Sequence, residues 1–189
     1  MYTSLNLTSM SGLELDPYPR KQIKSQENKL YNKILFLSRN KSFYTKLGLI
    51  DTFQNRINLI FLHISFLFIK LKQKDKSQFY KEFFQKMFDF IFNKIELNMR
   101  EIGYGDMTIN KNMKFLVKIF YNILLNCENY KKKNLKNKNL FLLKYLTQNA
   151  DKISTNNIGL VEYFDKYQAF CFDLSSDSVL KGDLNFNYK

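Results

Sequence analysis

The chain has 189 residues, 45% of them apolar and 16% aromatic, with 30 basic and 17 acidic side chains and a net charge of +13. This composition predicts one folded domain and excludes a disordered basic tail, because 19 Phe and 12 Tyr supply a large apolar area to bury. Six Gly and two Pro are too few for a turn-rich β-sandwich or a glycine-rich nucleotide fold. Two Cys are too few for a disulfide framework, so we expect a reducing compartment.

Lysine supplies most of the positive charge. The arginines are only Arg20, Arg39, Arg56 and Arg100, and this excess of Lys, together with abundant Asn, is typical of coding bias in an AT-rich genome. The charge is also uneven, since residues 1–149 carry +15 and residues 150–189 carry −2. We interpret the charge as a solvated, lysine-coated helical face in preference to a surface for an acidic partner.

Residues 1–19 are predicted to form a loose leader, because Pro17 and Pro19 push the residues before them out of the helical region. The leader contains no Lys or Arg and no continuous apolar stretch, so we expect neither a secretory signal nor a mitochondrial presequence. Residues 20–189 are predicted to form a single helical domain.

The rest of the chain is predicted to be helical, in segments separated by turn or cap residues. The first segments are a helix over 21–40 and a short turn of helix at 42–47 that ends at Gly48. Next come a helix that is capped by Asp51 or Thr52 and contains the apolar run 57–69, and a helix that runs from a capping box at Asp75 and Gln78 to Gly103. A helix capped by Asp106, Thr108 or Asn110 follows, and the last segments are 140–146, 160–172 and 176–180. Residues 131–138 carry +5 and are predicted to form a solvated connector. No segment alternates as a strand does, so the predicted fold class is all-α, a single bundle-like domain of six or seven helices.

The apolar run 57–69 is the one segment that raises the question of a membrane. A helix of about 13 residues spans ~20 Å, whereas a hydrocarbon core requires ~30 Å. We therefore predict a buried helix, with an interfacial membrane helix as the alternative.

Few residues suit catalysis. His63 is the only histidine, and inside an apolar run it is more often a hydrogen-bonded core residue than a base or ligand. Cys127 and Cys171 are far apart in apolar contexts, which disfavours a zinc site or a reactive thiol. The Gly103-x-Gly105 pair lacks the third glycine and the preceding strand of a dinucleotide loop. The sequence therefore predicts no enzyme, no cofactor and no metal site.

Three short motifs follow one another in the middle of the chain. They are Asp51-Thr52-Phe53 followed by Arg56, then His63 in the apolar run, then Met99-Arg100-Glu101 followed by Gly103, Gly105 and Asp106, with Tyr121 in the next helix. In this order and spacing they resemble the ubiquinol-cytochrome c chaperone family from about residue 40 to 125, and more weakly to Gly182. The chain departs from the family pattern at Gln54 and Asn55, where an acid and a glycine are usual.

The resemblance implies a non-enzymatic chaperone that binds newly made cytochrome b during assembly of the respiratory bc1 complex. It also implies a small partner protein, contact with the ribosome, peripheral contact with the inner membrane surface, and a location on the cytoplasmic side of a bacterial inner membrane or in the mitochondrial matrix. The partner-binding residues that it implies are Asp51, Thr52, Phe53, Arg56, His63, Arg100, Gly103, Gly105, Asp106 and Tyr121.

Two alternatives remain open at this stage. The motif residues have structural interpretations, since Asp51, Thr52 and Asp106 are also suited to capping helices and the arginines to pairing with carboxylates. The basic charge alone also fits a ribosome- or RNA-associated helical protein, although no RNA-binding motif is recognisable.

Overall fold

The computed structural model describes residues 26–74, 78–147 and 158–188, and the side chains of all of these except 73, 74, 78 and 79. Within those ranges the secondary structure is helical and contains no β-strand, which confirms the all-α prediction. The helices are α1 (Gln26–Ser38), α2 (Ser42–Thr45), α3 (Phe53–Lys74), α4 (Gln78–Glu101), α5 (Asp106–Glu128), α6 (Leu135–Tyr145), α7 (Ile158–Asp173) and α8 (Ser176–Leu180), with a 3₁₀ turn at Tyr130–Lys132. Six of these helices have 11 or more residues, and α2 and α8 are single turns.

Helix α6 begins earlier than the sequence pattern predicts. Its start is fixed by the Asn134 side chain, which accepts a hydrogen bond from the backbone N of Asn137 as an N-cap. The predicted connector 131–138 is therefore wrong in its second half, which is helical. The predicted leader 1–19 and Asp75 of the predicted capping box lie outside what the structure describes, whereas Gln78 is the first residue of α4.

Helix α3 is the centre of the fold and contacts α1, α4, α5, α7 and α8. Every residue from 57 to 71 is buried, as expected for a helix that is apolar on all sides. The buried positions include those that a membrane-facing helix would expose, namely Leu59, Leu62, Phe66 and Ile69. The interfacial alternative for 57–69 is therefore wrong. Among the described residues, none of the helices combines the length and apolarity that crossing a bilayer requires.

The C-terminal segment folds back onto α1 and closes the bundle. Gly182 has a φ of +68°, and a Cβ there would lie 2.9 Å from the backbone N of Leu30. Next to it, Lys29 Nζ lies 2.9 Å from Asp183 Oδ1, and Leu184 is buried. Only glycine allows the two backbones to approach this closely.

Candidate partner-binding cleft

The first motif forms the start of α3. Thr52 is the N-cap, and its Oγ1 accepts a hydrogen bond of 3.1 Å from the backbone N of Asn55, as predicted for this position. Arg56 pairs with Asp51 through two parallel bonds, Nε to Oδ1 at 2.6 Å and a terminal nitrogen to Oδ2 at 2.8 Å. These hydrogen bonds lower the pKa of Asp51. The pair is about half exposed, so its groups remain accessible to a partner.

Two asparagines that the sequence analysis did not select fasten this region to the end of α6. The buried Asn55 amide donates to the carbonyls of Ile50 and Thr147, each at 2.8 Å, and its Oδ1 accepts from the backbone N of Thr147 at 2.9 Å. Asn58 donates to the Tyr145 carbonyl at 2.6 Å. At Asn55, where the chain departs from the family pattern, the side chain therefore has a structural role.

The second motif forms the turn between α4 and α5. Gly103 ends α4 with a φ of +97°, and Gly105, rather than Asp106, is the N-cap of α5. Arg100 spans the turn, with one terminal nitrogen 2.9 Å from Glu96 and the other 2.5 Å from Asp106. The Arg100 side chain is about half exposed. Arg100 and Asp106 thus form an exposed ion pair similar to that of Asp51 and Arg56.

The two motifs border one cleft of about 210 Å³ between α1, α3 and α4. The cleft is lined by Tyr31, Leu35, Ser38 and Arg39, by Phe53, Arg56, Ile57 and Ile60, and by Ile95, Asn98, Glu101 and Ile102. The first motif thus contributes Phe53 and Arg56, and the second contributes Glu101, which immediately follows Arg100. Folding brings together motifs that lie far apart along the chain.

The cleft combines apolar side chains with unpaired charges. Arg39 and Glu101 are exposed, and neither has an ion-pair partner among the described residues. Ile102 at the rim is 61% exposed. The unpaired guanidinium of Arg39 and the unpaired carboxylate of Glu101, set among apolar groups, suit a short amphipathic stretch of polypeptide better than a simple anion. Sequence reasoning missed Arg39 and Ile102 as lining residues; the signal for Arg39 is that it is one of only four Arg among 30 basic residues.

His63 lies in the core, away from any surface. Its Nδ1 donates to the Leu59 carbonyl at 2.6 Å, which leaves Nε2 to accept from the Tyr163 hydroxyl at 2.7 Å. Burial lowers the pKa of His63 to about 4, so the ring is neutral at pH 7. The prediction of a core histidine is confirmed. A contact role in partner binding is not compatible with a fully buried ring, so any effect of His63 on binding passes through the fold.

The remaining candidates lie apart from the cleft. Tyr121 is 43% exposed on the outer side of α5, where its ring packs 5.9 Å from that of Phe88. Cys127 and Cys171 are buried free thiols, and burial raises the pKa of both. No group of three or more His, Cys, Asp or Glu side chains suited to a metal ion occurs in the part of the chain that the structure describes.

These features define a class of protein: an all-α protein with a small surface cleft at which its two charged motifs meet. The sequence model of the family described as ubiquinol-cytochrome C chaperone matches residues 45–186. The chain therefore belongs to the ubiquinol-cytochrome c chaperone family, the assembly chaperones of the bc1 complex.

A solved structure shares the fold. The crystal structure of the Cbp3 homolog from Brucella abortus matches with a TM-score of 0.72 and 21% sequence identity, covering 86% of this chain and 89% of that chain. At this identity the similarity shows the fold alone. Comparison with curated proteins finds no match.

Proposed function

We propose that this chain binds newly made cytochrome b during assembly of the bc1 complex, and that the cleft between α1, α3 and α4 is the contact site. The observation that carries the proposal is the meeting of the two family motifs at this cleft. The protein acts by binding rather than by catalysis. Its location beside the inner membrane, on the side where cytochrome b is made, belongs to the same proposal.

The chemistry of the cleft fits a client of this kind. A newly made membrane protein exposes apolar segments whose ends and loops carry charged residues. Ile102 and Phe53 supply apolar contacts, while Arg39 supplies a free guanidinium for a carboxylate or a carbonyl. A volume of about 210 Å³ accommodates only a few side chains, so the cleft holds a short segment of the client.

Cross-linking in cells tests the proposal. A tagged full-length chain is cross-linked mildly, purified, and the captured proteins are identified. We expect cytochrome b among the dominant captures, and a decrease of about tenfold or more with Arg39→Ala, Arg56→Ala or Ile102→Ser, because central interface residues typically contribute at least this much. Asp106→Ala tests the second ion pair in the same way.

Matched control variants separate the cleft from the general surface. Leu97→Ser changes an exposed apolar residue of α4 that does not line the cleft, and Lys33→Ala removes an exposed charge from α1. Both are expected to capture cytochrome b like the unmodified chain. A cleft variant with an unchanged thermal melt and unchanged capture would refute the assignment of the cleft, and a collapsed melt would support the structural interpretation of its residues.

The alternative function makes a different prediction in the same experiment. A ribosome- or RNA-associated protein would capture ribosomal components without cytochrome b, and its binding would weaken steeply with salt. A small partner protein would appear as a second capture that does not depend on cytochrome b.

A further inference from the structure

The solvent-facing side of α5 differs from an ordinary helix surface. It presents four large apolar side chains and three lysines, and we call this set the α5 outer face: Met107, Lys111, Lys114, Phe115, Lys118, Tyr121 and Leu125. Of the apolar side chains, Met107 is 88% exposed, Phe115 58%, Tyr121 43% and Leu125 60%. At 100° per residue, Met107, Lys118 and Leu125 lie within about 20° of one another along the middle of the face. The opposite side of α5 is the one that packs against α3.

The positive charge of this face is not neutralised. The only acids of α5 are Asp106 and Glu128 at its two ends, and these pair with Arg100 and Lys72. Lys111, Lys114 and Lys118 are exposed and have no ion-pair partner in the described residues. Between its ends, the helix therefore presents cations, apolar groups and neutral polar side chains but no carboxylate.

The neighbouring helix provides a contrast within the same molecule. Helix α4 has four basic and four acidic residues, which alternate along its length. Excess lysine in the chain as a whole thus does not by itself produce a one-sided face. The α5 outer face is a local feature.

We propose that the α5 outer face binds the surface of an anionic lipid bilayer, with α5 lying parallel to the membrane plane. Apolar side chains that interleave with lysines suit this environment, because the apolar groups enter the boundary between headgroups and acyl chains while the lysines extend to the phosphates. A protein interface is depleted of lysine at its centre, whereas Lys118 lies at the centre here. Phe115 and Tyr121 offer rings for stacking on nucleic-acid bases but lie towards the edges of the face, whereas Met107 and Leu125 along its middle offer none, which favours a bilayer over RNA.

This inference gives the predicted membrane contact a site, and that site differs from the 57–69 segment, which the sequence offered only as the alternative to a buried helix. The inference rests on the proposed function in one respect, because a chaperone of a membrane protein needs a position beside the bilayer. The cleft variants leave the α5 outer face unchanged, so failure of cytochrome b capture and failure of membrane binding are distinguishable.

Vesicle flotation of the purified full-length chain tests the proposal. With phosphatidylcholine vesicles containing about one-third phosphatidylglycerol we expect binding, and with phosphatidylcholine alone none. The triple variant Lys111→Gln, Lys114→Gln, Lys118→Gln is expected to bind about 100-fold more weakly, from about fivefold per lysine. The matched control is Lys81→Gln, Lys86→Gln, Lys94→Gln on α4, which removes the same charge and is expected to retain most of the binding.

A fluorescent probe tests insertion independently. The chain contains no Trp, so Leu125→Trp on α5 and Leu97→Trp on α4 each introduce a single indole at an exposed leucine. We expect the emission of the Leu125→Trp protein to shift to the blue on addition of anionic vesicles, and that of the Leu97→Trp protein to stay unchanged.

Three results would overturn the proposal. One is a failure of the unmodified chain to bind anionic vesicles, and another is an equal loss of binding in the α4 and α5 triple variants, which would leave net charge as the sole cause. The third is an α5 triple variant that keeps vesicle binding and loses binding of single-stranded poly(U), which would assign the face to nucleic acid.

Discussion

The region around His63 and the region around the cleft use polar side chains in opposite ways. At His63, a ring without solvent exposure is held by two hydrogen bonds among the aromatic residues Phe43, Tyr163, Phe164 and Tyr167. At the cleft, Arg56 and Arg100 form ion pairs that remain about half exposed. Polar groups in the first region are satisfied inside the core, whereas those in the second are paired at the surface and stay accessible to solvent.

The largest expected effect comes from removing the buried ring. His63→Ala leaves a cavity and removes the hydrogen-bond partners of the Leu59 carbonyl and the Tyr163 hydroxyl. We expect the free energy of unfolding to fall by about 4 kcal/mol in urea titrations. A loss below about 1 kcal/mol would show that the core does not depend on this ring.

The pH dependence of stability tests the same region. Between pH 6.5, the ordinary pKa of histidine, and the folded pKa of about 4, the unfolded chain binds a proton that the folded chain does not. The stabilisation that comes from the neutral His63 ring is therefore fully present above pH 6.5, and the free energy of unfolding falls by about 3 kcal/mol as the pH falls to 4. The His63→Leu variant should lack this part of the slope. Because the chain has one histidine, NMR titration of its ring reads the folded pKa directly.

Two glycines with positive φ distinguish the closed core from the rim of the cleft. Gly182→Ala in the closed core brings a Cβ within 2.9 Å of the Leu30 backbone, whereas Gly103→Ala beside the cleft meets nothing within 4 Å. We expect a loss of about 3 kcal/mol for Gly182→Ala, and about 1 kcal/mol for Gly103→Ala from backbone strain alone. Equal losses in thermal melts would mean that the C-terminal segment does not pack tightly on α1.

Asn55 is intermediate between the buried core and the exposed cleft, since it is buried like His63 but lies between Phe53 and Arg56 of the first motif. Asn55→Ala removes three hydrogen bonds that join α3 to residues 50 and 147, and we expect a loss of about 2 kcal/mol. The exposed neighbour Gln54 supplies the control, since Gln54→Ala loses only one hydrogen bond, to Asn58 Oδ1, and should lower the free energy of unfolding by less than about 1 kcal/mol. Similar losses in both variants would contradict the role of Asn55.

The smallest effect is expected at the exposed ion pair. Arg56→Ala should lower the free energy of unfolding by less than about 1 kcal/mol, because exposed pairs are weakened by solvent. The same variant is the one expected to lose client capture. A loss above about 2 kcal/mol would place Arg56 with the residues that maintain the fold.

Patterns local in the sequence were sufficient to predict the all-α fold and the cap at Thr52, but not the cap of α5 at Gly105 or the start of α6 after Asn134. The bounds of α8 match the prediction, Thr52 is a cap, and the unbroken apolar run around His63 is the buried centre. Features that depend on distant contacts were not predictable. The hydrogen bonds of Asn55 cross from residue 55 to residue 147, and the cleft depends on how α1 packs beside α4. Periodicity alone also gave no indication that the polar side of α5 would carry exposed apolar groups.

The arginines of the described residues lie in or next to the cleft. Arg39 and Arg56 line the cleft, Arg100 adjoins it, and elsewhere in the described ranges the side chains of permanent positive charge are lysines. A guanidinium presents a planar fork that can bind a carboxylate through two parallel bonds, as Arg56 binds Asp51, and the ammonium group of a lysine cannot replace it there.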